Sequence, residues 1–403
     1  MLRKSLIMKL FGAFSIQRWN DQIRPLPLIE MDKHAHKMAI AYCLAQYEKK
    51  EGNKVSWHHI IQGGIFELLK RAVLSDIKSP IYNEIKDKYP DAFKKLNEMV
   101  VREVKKLLAN DDPLLKDIDR YLNNESAFFE GQEISRDILA AAHLYASYWE
   151  FNVIRPVNPG RRSINDTETK LLSSLNPFNR LVGMKKLLEG ENIAEFIDIV
   201  GQLRFQVRWG QTVRLPATSV LGHSMMVATL AYLLTRELKE PPCGERLKNN
   251  FFSGLFHDIP EALTRDIIAP LKREVEGLKE VIGKIEQELV KSKIHKLLDD
   301  SSCLEEFRYL TENEFESKIV RNKVTEKQNS DVINREYNKD EYSPVDGELV
   351  DAADQLAAYV EARSSIDYGV KSPDLVRAEM GIKDKQIVRT VAGIDLGDIY
   401  DKF

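Results

Sequence analysis

The sequence predicts an all-α protein made of two similar helical halves, the second carrying an insertion. Three observations lead there. Apolar residues recur at three- and four-residue spacing along most of the chain, the period of one helix face, while alternating strand-type runs are scarce. A stretch beginning at Gly64 aligns without gaps on a stretch beginning at Gly254. An Arg-Trp pair precedes each stretch at the same distance.

Taken in order, the N-terminus MLRKSLIMKLFGAF is basic and then apolar. Its apolar run is short, is broken by Lys9 and has no small-residue cleavage site after it, so it does not read as a leader. MAIAYCLAQYEKK (38–50) and ILAAAHLYASYWEF (138–151) carry helical stripes. VNPGRRSINDTETK (157–170) has Pro159-Gly160, polar residues and no stripe, and reads as a linker. It divides the chain into domains 1–165 and 166–403. MMVATLAYLLTREL (225–238) and LVDAADQLAAYVEAR (349–363) are again helical. Between them lies the charged insertion, about 274–345. Its first part, 274–298, reads as an amphipathic helix and its last part, 323–344, as a polar loop.

The chain has 403 residues, more than one average domain, and 43% apolar residues, enough for sizeable cores. A net charge of −3 argues against a general binder of nucleic-acid polymers or membrane surfaces. No run approaches the roughly 18 apolar residues of a membrane span. Cys43, Cys243 and Cys303 are far apart and lack metal-type spacing; they read as free thiols of a reducing compartment, and the expected location is cytoplasmic.

The repeat is specific at six positions: Gly64/Gly254, Phe66/Phe256, Ala72/Ala262, Asp76/Asp266, Ile77/Ile267 and Pro80/Pro270. The same 48 residues separate Arg18 from Phe66 and Arg208 from Phe256. DILAAAHLYASYWE at Asp137 resembles DQLAAYVEA at Asp354. The first copy keeps Arg18, Trp19, His34, Asp76 and Asp137, but has Glu67-Leu68 where the second has His257-Asp258, and Arg71 opposite Glu261. The first copy is therefore expected to be non-catalytic and structural. Of possible ligands only His34 (or His36) and Asp137 remain there, with Glu67 as a weak substitute, while His58, His59 and His143 read as satisfied or exposed histidines rather than ligands.

The second copy has the chemistry. Neutral imidazole and carboxylate oxygen suit a divalent Mn, Co, Zn, Ni or Fe ion. His257 and Asp258 are adjacent, so on one helix they point about 100° apart and share an ion only at the helix edge. His223, opening the apolar helix HSMMVATLAYLL, is a natural third ligand. Asp354, among Ala, Leu and Val, needs a partner to be buried and is a natural fourth. Glu261 falls three residues past Asp258 and four past His257, on the same side if helical, where it would hold or activate water. Pro260 favours a break there, which leaves an N-cap role open for Asp258.

Arg208-Trp209, His223, His257-Asp258 with Glu261 and Asp266, and Asp354 in VDAADQLAAYVEA together resemble the HD-domain metal-dependent phosphohydrolases, nearest the bacterial 5′-deoxynucleotidase (YfbR-like) branch. The resemblance covers about 200–272 and 345–365. It departs at Gly222, where that family usually has an acidic residue, and in the long insertion. It implies one divalent metal on His223, His257, Asp258 and Asp354. Arg208 would bind the substrate phosphate, Glu261 assist the attacking water, Asp266 contact the sugar or order the site, Trp209 shape the sugar pocket and Lys272 add a phosphate contact. The implied reaction removes the 5′-phosphate of a (deoxy)nucleoside monophosphate. Hydrolysis of triphosphates or ppGpp-type nucleotides, and nucleotide-sensing regulation, are the alternatives. Members of that branch are typically homodimers, so two fused HD-like bundles imply an internal pseudo-dimer.

Overall fold

The computed structural model describes residues 2–75, 77, 79–109, 112–265, 277–298 and 303–403. Helices dominate, as the periodicity predicts, and the described strands form three small antiparallel pairs. The four stripes seen in the sequence lie in helices Glu30–Lys50, Glu133–Ile154, Val220–Arg236 and Gly347–Asp367. Helices 30–50 and 220–236 are buried along most of their length on every side, not on one face. They are the central pair, packed on each other, with helix 133–154 against the first and helix 347–367 against the second. Helix 220–236 is apolar nearly all round, as such a place requires, whereas helix 30–50 also buries Glu30, Asp32, Lys33 and Lys37.

One continuous hydrophobic core joins the two halves. At its centre Tyr42 of helix 30–50 meets Phe252 and Phe256 of helix Gly244–Phe256, with ring centroids 4.9 and 5.2 Å away. Trp57, opening helix Trp57–Val73, stands 5.2 Å from Phe252. These aromatic contacts cross between the halves and bury large rings at favourable tilted geometries.

Two expectations change. The linker read over 157–170 is helical from Arg162: helix Arg162–Leu175 buries Ile164 and Leu175 and packs along helix 133–154. Its apolar residues are spread too thinly for a stripe, yet two of them suffice for docking. The polar loop read over 323–344 instead begins inside a hairpin, Lys318–Arg321 paired with Val324–Lys327. Its two turn residues, Asn322 and Lys323, have φ of 50° and 64°, the left-handed pair that a two-residue hairpin turn requires. The amphipathic helix expected over 274–298 is present in its described part as Leu278–Leu289, continued by a wider-wound turn to Leu298.

The backbone path around the Arg-Trp pair recurs. Glu30 N donates to Ile16 O (3.0 Å) and, 190 residues on, Val220 N donates to Gln206 O (2.9 Å). Trp19 and Trp209 both have left-handed φ, 53° and 59°. The close helix contacts match as well. A Cβ on Gly64 would meet Met38, and one on Gly254 would lie 3.0 Å from the backbone of Ala228. Gly254 thus lets helix 244–256 approach helix 220–236 closely.

Phe252 is fully buried at the junction. Phe252→Ala is expected to lower the unfolding free energy by about 3–5 kcal/mol, measured by urea titration. Because the core is shared, the transition should remain single, with no separate melting of either half.

Candidate metal centre

Three elements converge on one point. Helix 220–236 begins after Ser219, whose hydroxyl accepts from Gly222 N (2.9 Å), and this cap places His223 in the first turn. Helix 244–256 ends at Phe256, with His257 as the next residue. Helix 347–367 brings Asp354 in its second turn. One ligand atom each from His223, His257 and Asp354 lies within 4.8 Å of the others.

Hydrogen bonds orient both imidazoles. His223 Nδ1 is 3.2 Å from Glu361 Oε1, and His257 Nδ1 is 2.8 Å from the Gly254 carbonyl. Both partners only accept, so each Nδ1 carries the proton and each Nε2 lone pair faces the cluster. His223 Nε2 is 2.8 Å from Asp354 Oδ1. His257 Nε2 is 3.9 Å from the same oxygen and 3.2 Å from Asp258 Oδ2, is buried, and makes no hydrogen bond among the described residues. Lone pairs packed against carboxylates repel unless a proton or a cation lies between them. Two imidazole nitrogens and carboxylate oxygen form a donor set that fits a divalent transition metal.

Asp258 stands next to this trio rather than within it. Its Oδ2 takes a 3.2 Å ion pair from Arg208 Nη1. It leaves the helix as Pro260 predicts, in a turn that leads into the short helix Glu261–Thr264. Glu261 opens that helix; its carbonyl accepts from Gln206 Nε2 (2.7 Å), and its charge acts on Arg208. Trp209 donates its indole N–H to Glu361 Oε2 (2.8 Å), and the Arg214 guanidinium sits 5.4 Å from its ring centroid. Asp266 and Lys272 lie outside the described residues, as does Asp76.

Glu361 is the residue that sequence reasoning missed. It is 2% exposed and gathers Arg208 Nε (3.5 Å), Trp209 Nε1 and His223 Nδ1. Its signal was a carboxylate in an apolar helix, seven residues after Asp354 and so on the same face.

The missing acid at position 222 also finds an explanation. A Cβ on Gly222 would fall 2.6 Å from Phe14 and 2.8 Å from Asp32 Oδ1. Asp32, from the first half, occupies that space and accepts from the Ser219 hydroxyl. Burial pushes its carboxyl up to about 7, against the pull of Arg204 and Ser219.

The corresponding place in the first half is built from other residues than expected. Trp19 Nε1 donates to Glu150 Oε2 (2.8 Å) and Arg18 Nε to the same oxygen (2.8 Å), as Trp209 and Arg208 do to Glu361. In that register Lys33, not His34, stands where His223 does, Glu67 where His257 does, and His143, not Asp137, where Asp354 does. Lys33 Nζ is 2.7 Å from His143 Nδ1, and Lys37 pairs with Glu67. His34 is buried with Nε2 3.4 Å from Glu30, and Asp137 pairs with Arg180. The expectation for His34 and Asp137 is corrected: both miss the register by whole residues, which rotates them to other faces of their helices.

Electrostatics separates the two places. Burial opposes a charge on His257, but Asp258 and Asp354 overcome it and raise the imidazole to about 9. Burial likewise pushes Asp258 and Asp354 up. The two histidines and Arg208 outweigh it and hold both carboxyls below their ordinary value. In the first half burial, with Lys33 close by, lowers His143 to about 4, so that imidazole stays neutral.

Residues 200–381 match the family model of the HD domain. That span contains His223, His257, Asp258, Asp354 and Glu361. No curated protein matches the sequence. Among the described residues no helix is long and apolar enough to cross a membrane.

Metal-free folded protein keeps the His257 proton up to about pH 9, while the unfolded histidine releases it near 6.5. The stability from this pairing is complete below pH 6.5 and is lost as pH rises through 9. In chelator, the urea midpoint should fall across that window, and His257→Gln should flatten the fall. With divalent metal the trend should reverse, because the metal takes the place of the proton. A level midpoint for chelated wild type would contradict the pairing.

Proposed function

We propose that the HD domain in residues 200–381 makes this protein a metal-dependent phosphomonoesterase that removes the 5′-phosphate of (deoxy)nucleoside monophosphates. The observation that carries the reading is the pair of oriented Nε2 lone pairs, one without a hydrogen bond among the described residues, facing Asp354 beside an arginine. His223, His257 and Asp354 would hold the ion, with Asp258 at its edge. A divalent cation held there supplies Lewis-acid polarisation of a phosphate oxygen and a more acidic water.

The chain's own groups supply the rest. Arg208, whose guanidinium reaches Asp258 at the partly open side, binds the phosphate and neutralises its developing charge. Glu261 accepts the proton of the attacking water. The water oxygen bonds to phosphorus, the ester P–O bond breaks, and the departing sugar oxygen takes a proton. Asp258 holds Arg208 against the ligand cluster. Glu361 holds His223 in its tautomer and Trp209 in place. The preference for monophosphates rests on the Arg-Trp spacing and the HDxxEALTxD run alone. Asp266 and Lys272 keep the substrate roles that the resemblance implies.

The first half has no such chemistry in this reading, and it serves as a degenerate copy. Lys33 stands against His143 and Lys37 against Glu67 in the place corresponding to the ligand cluster, so the groups that would face an ion there are already engaged with one another, while burial lowers both amines. The two copies then form an internal pseudo-dimer, and the first keeps the second folded through the shared core.

Protein purified with Mn or Co should carry one metal equivalent per chain by elemental analysis, not two. His257→Ala should lose it, and Lys33→Met should keep it. Wild type should release orthophosphate from a deoxynucleoside monophosphate, and His257→Ala should not. Glu361→Gln should weaken metal affinity about 10- to 100-fold. Two equivalents in wild type would sink the degenerate-copy reading, and no phosphate release with any metal would sink the enzyme.

A further inference from the structure

We propose that Phe315 is the platform on which the substrate's planar base stacks, so that the site selects nucleotides over phosphate esters that lack an aromatic group. The inference rests on the phosphohydrolase reading above and names the part of the substrate that the metal cluster does not reach.

Phe315 is 37% exposed, and its ring centroid lies 6.1 Å from that of His257. A large ring at the lip of a polar cluster presents apolar surface to water, which is unfavourable unless something covers it. The ring is also held in position. Its segment turns through a 2.9 Å bond from Glu316 N to Asn313 O, with Asn313 at φ 51°. Lys318 and Val345 exchange two backbone bonds of 2.9 Å, and the Ser317 hydroxyl accepts from Glu348 N (3.3 Å).

The segment also lies flat on the start of helix 347–367. A Cβ on Gly347 would fall 2.3 Å from the carbonyl carbon of Phe315 and 2.4 Å from the Glu316 nitrogen. Only glycine permits that approach. The same helix carries Asp354 two turns on, so Phe315 and the ligand cluster are fixed to one rigid element. Trp209, another aromatic beside the cluster, already has its N–H on Glu361 and a guanidinium over its ring. Phe315 offers accessible ring surface and, as a phenylalanine, has no side-chain hydrogen bond to break. Stacking on such a ring is tolerant of base identity, because every base has a π-face.

The test uses the full-length, metal-loaded protein with two substrates, deoxyadenosine 5′-monophosphate and ribose 5-phosphate. Phe315→Ala should lower kcat/KM for the nucleotide about tenfold, mainly through KM, and leave ribose 5-phosphate unchanged. Phe315→Tyr should retain the wild-type ratio. Calorimetric affinity for the nucleotide should drop by the same factor in Phe315→Ala. Equal losses on both substrates, or no loss on either, overturn the platform. Wild type that cleaves ribose 5-phosphate but no nucleotide also overturns it and leaves the phosphohydrolase standing. Wild type that cleaves neither removes both.

Discussion

The buried carboxylate of Glu361 organises the site. It accepts from a guanidinium, an indole and an imidazole that lie 138 to 153 residues earlier in the chain. A charge at 2% exposure is costly unless paired and hydrogen-bonded, and this one has three donors, with a second arginine at 3.9 Å. Removing one partner from such a network typically costs about 3–5 kcal/mol. The same carboxylate sets which nitrogen of His223 holds the proton, so stability and ligand geometry depend on one group. Trp209 reaches it only by taking a left-handed backbone, a strain that the network must offset.

Glu150 does the same in the first half, gathering Arg18 and Trp19, and is joined there by Arg204 from the other half (3.1 Å). The two frames are alike, but what they present differs. One gathers carboxylates around His257; the other gathers Lys37 and His143 around Glu67. The junction between halves is asymmetric too: Asp32 fills the room that Gly222 leaves, so the second half borrows a carboxylate from the first.

Much of this was legible in the residues. The four long helices follow from the spacing of apolar side chains, and the halves were found by the Arg-Trp distance and the glycine-phenylalanine match. His223, His257 and Asp354 were legible as carboxylate and imidazole groups on ground that otherwise reads as core. Lys33 was not, because a lysine beside two histidines reads as a solvated neighbour until the register is known. His34 sat one residue away and carried the expected residue type. Asp137 was chosen because DILAAAHLYASYWE, which it opens, resembles DQLAAYVEA at Asp354, although the frame aligns on the glutamates and puts His143 there.

The sequence by itself determined the helical class and the placing of imidazole and carboxylate groups on apolar ground, since these depend on local periodicity and residue type. The tertiary structure alone decided which nitrogen of His223 faces the cluster, that Asp258 turns to Arg208, and that Glu361 joins the site. Those outcomes depend on contacts across 50 residues of chain for Asp258 and Arg208 and 138 for Glu361 and His223. One helical step turns a side chain by about 100°, which local pattern cannot register and packing settles.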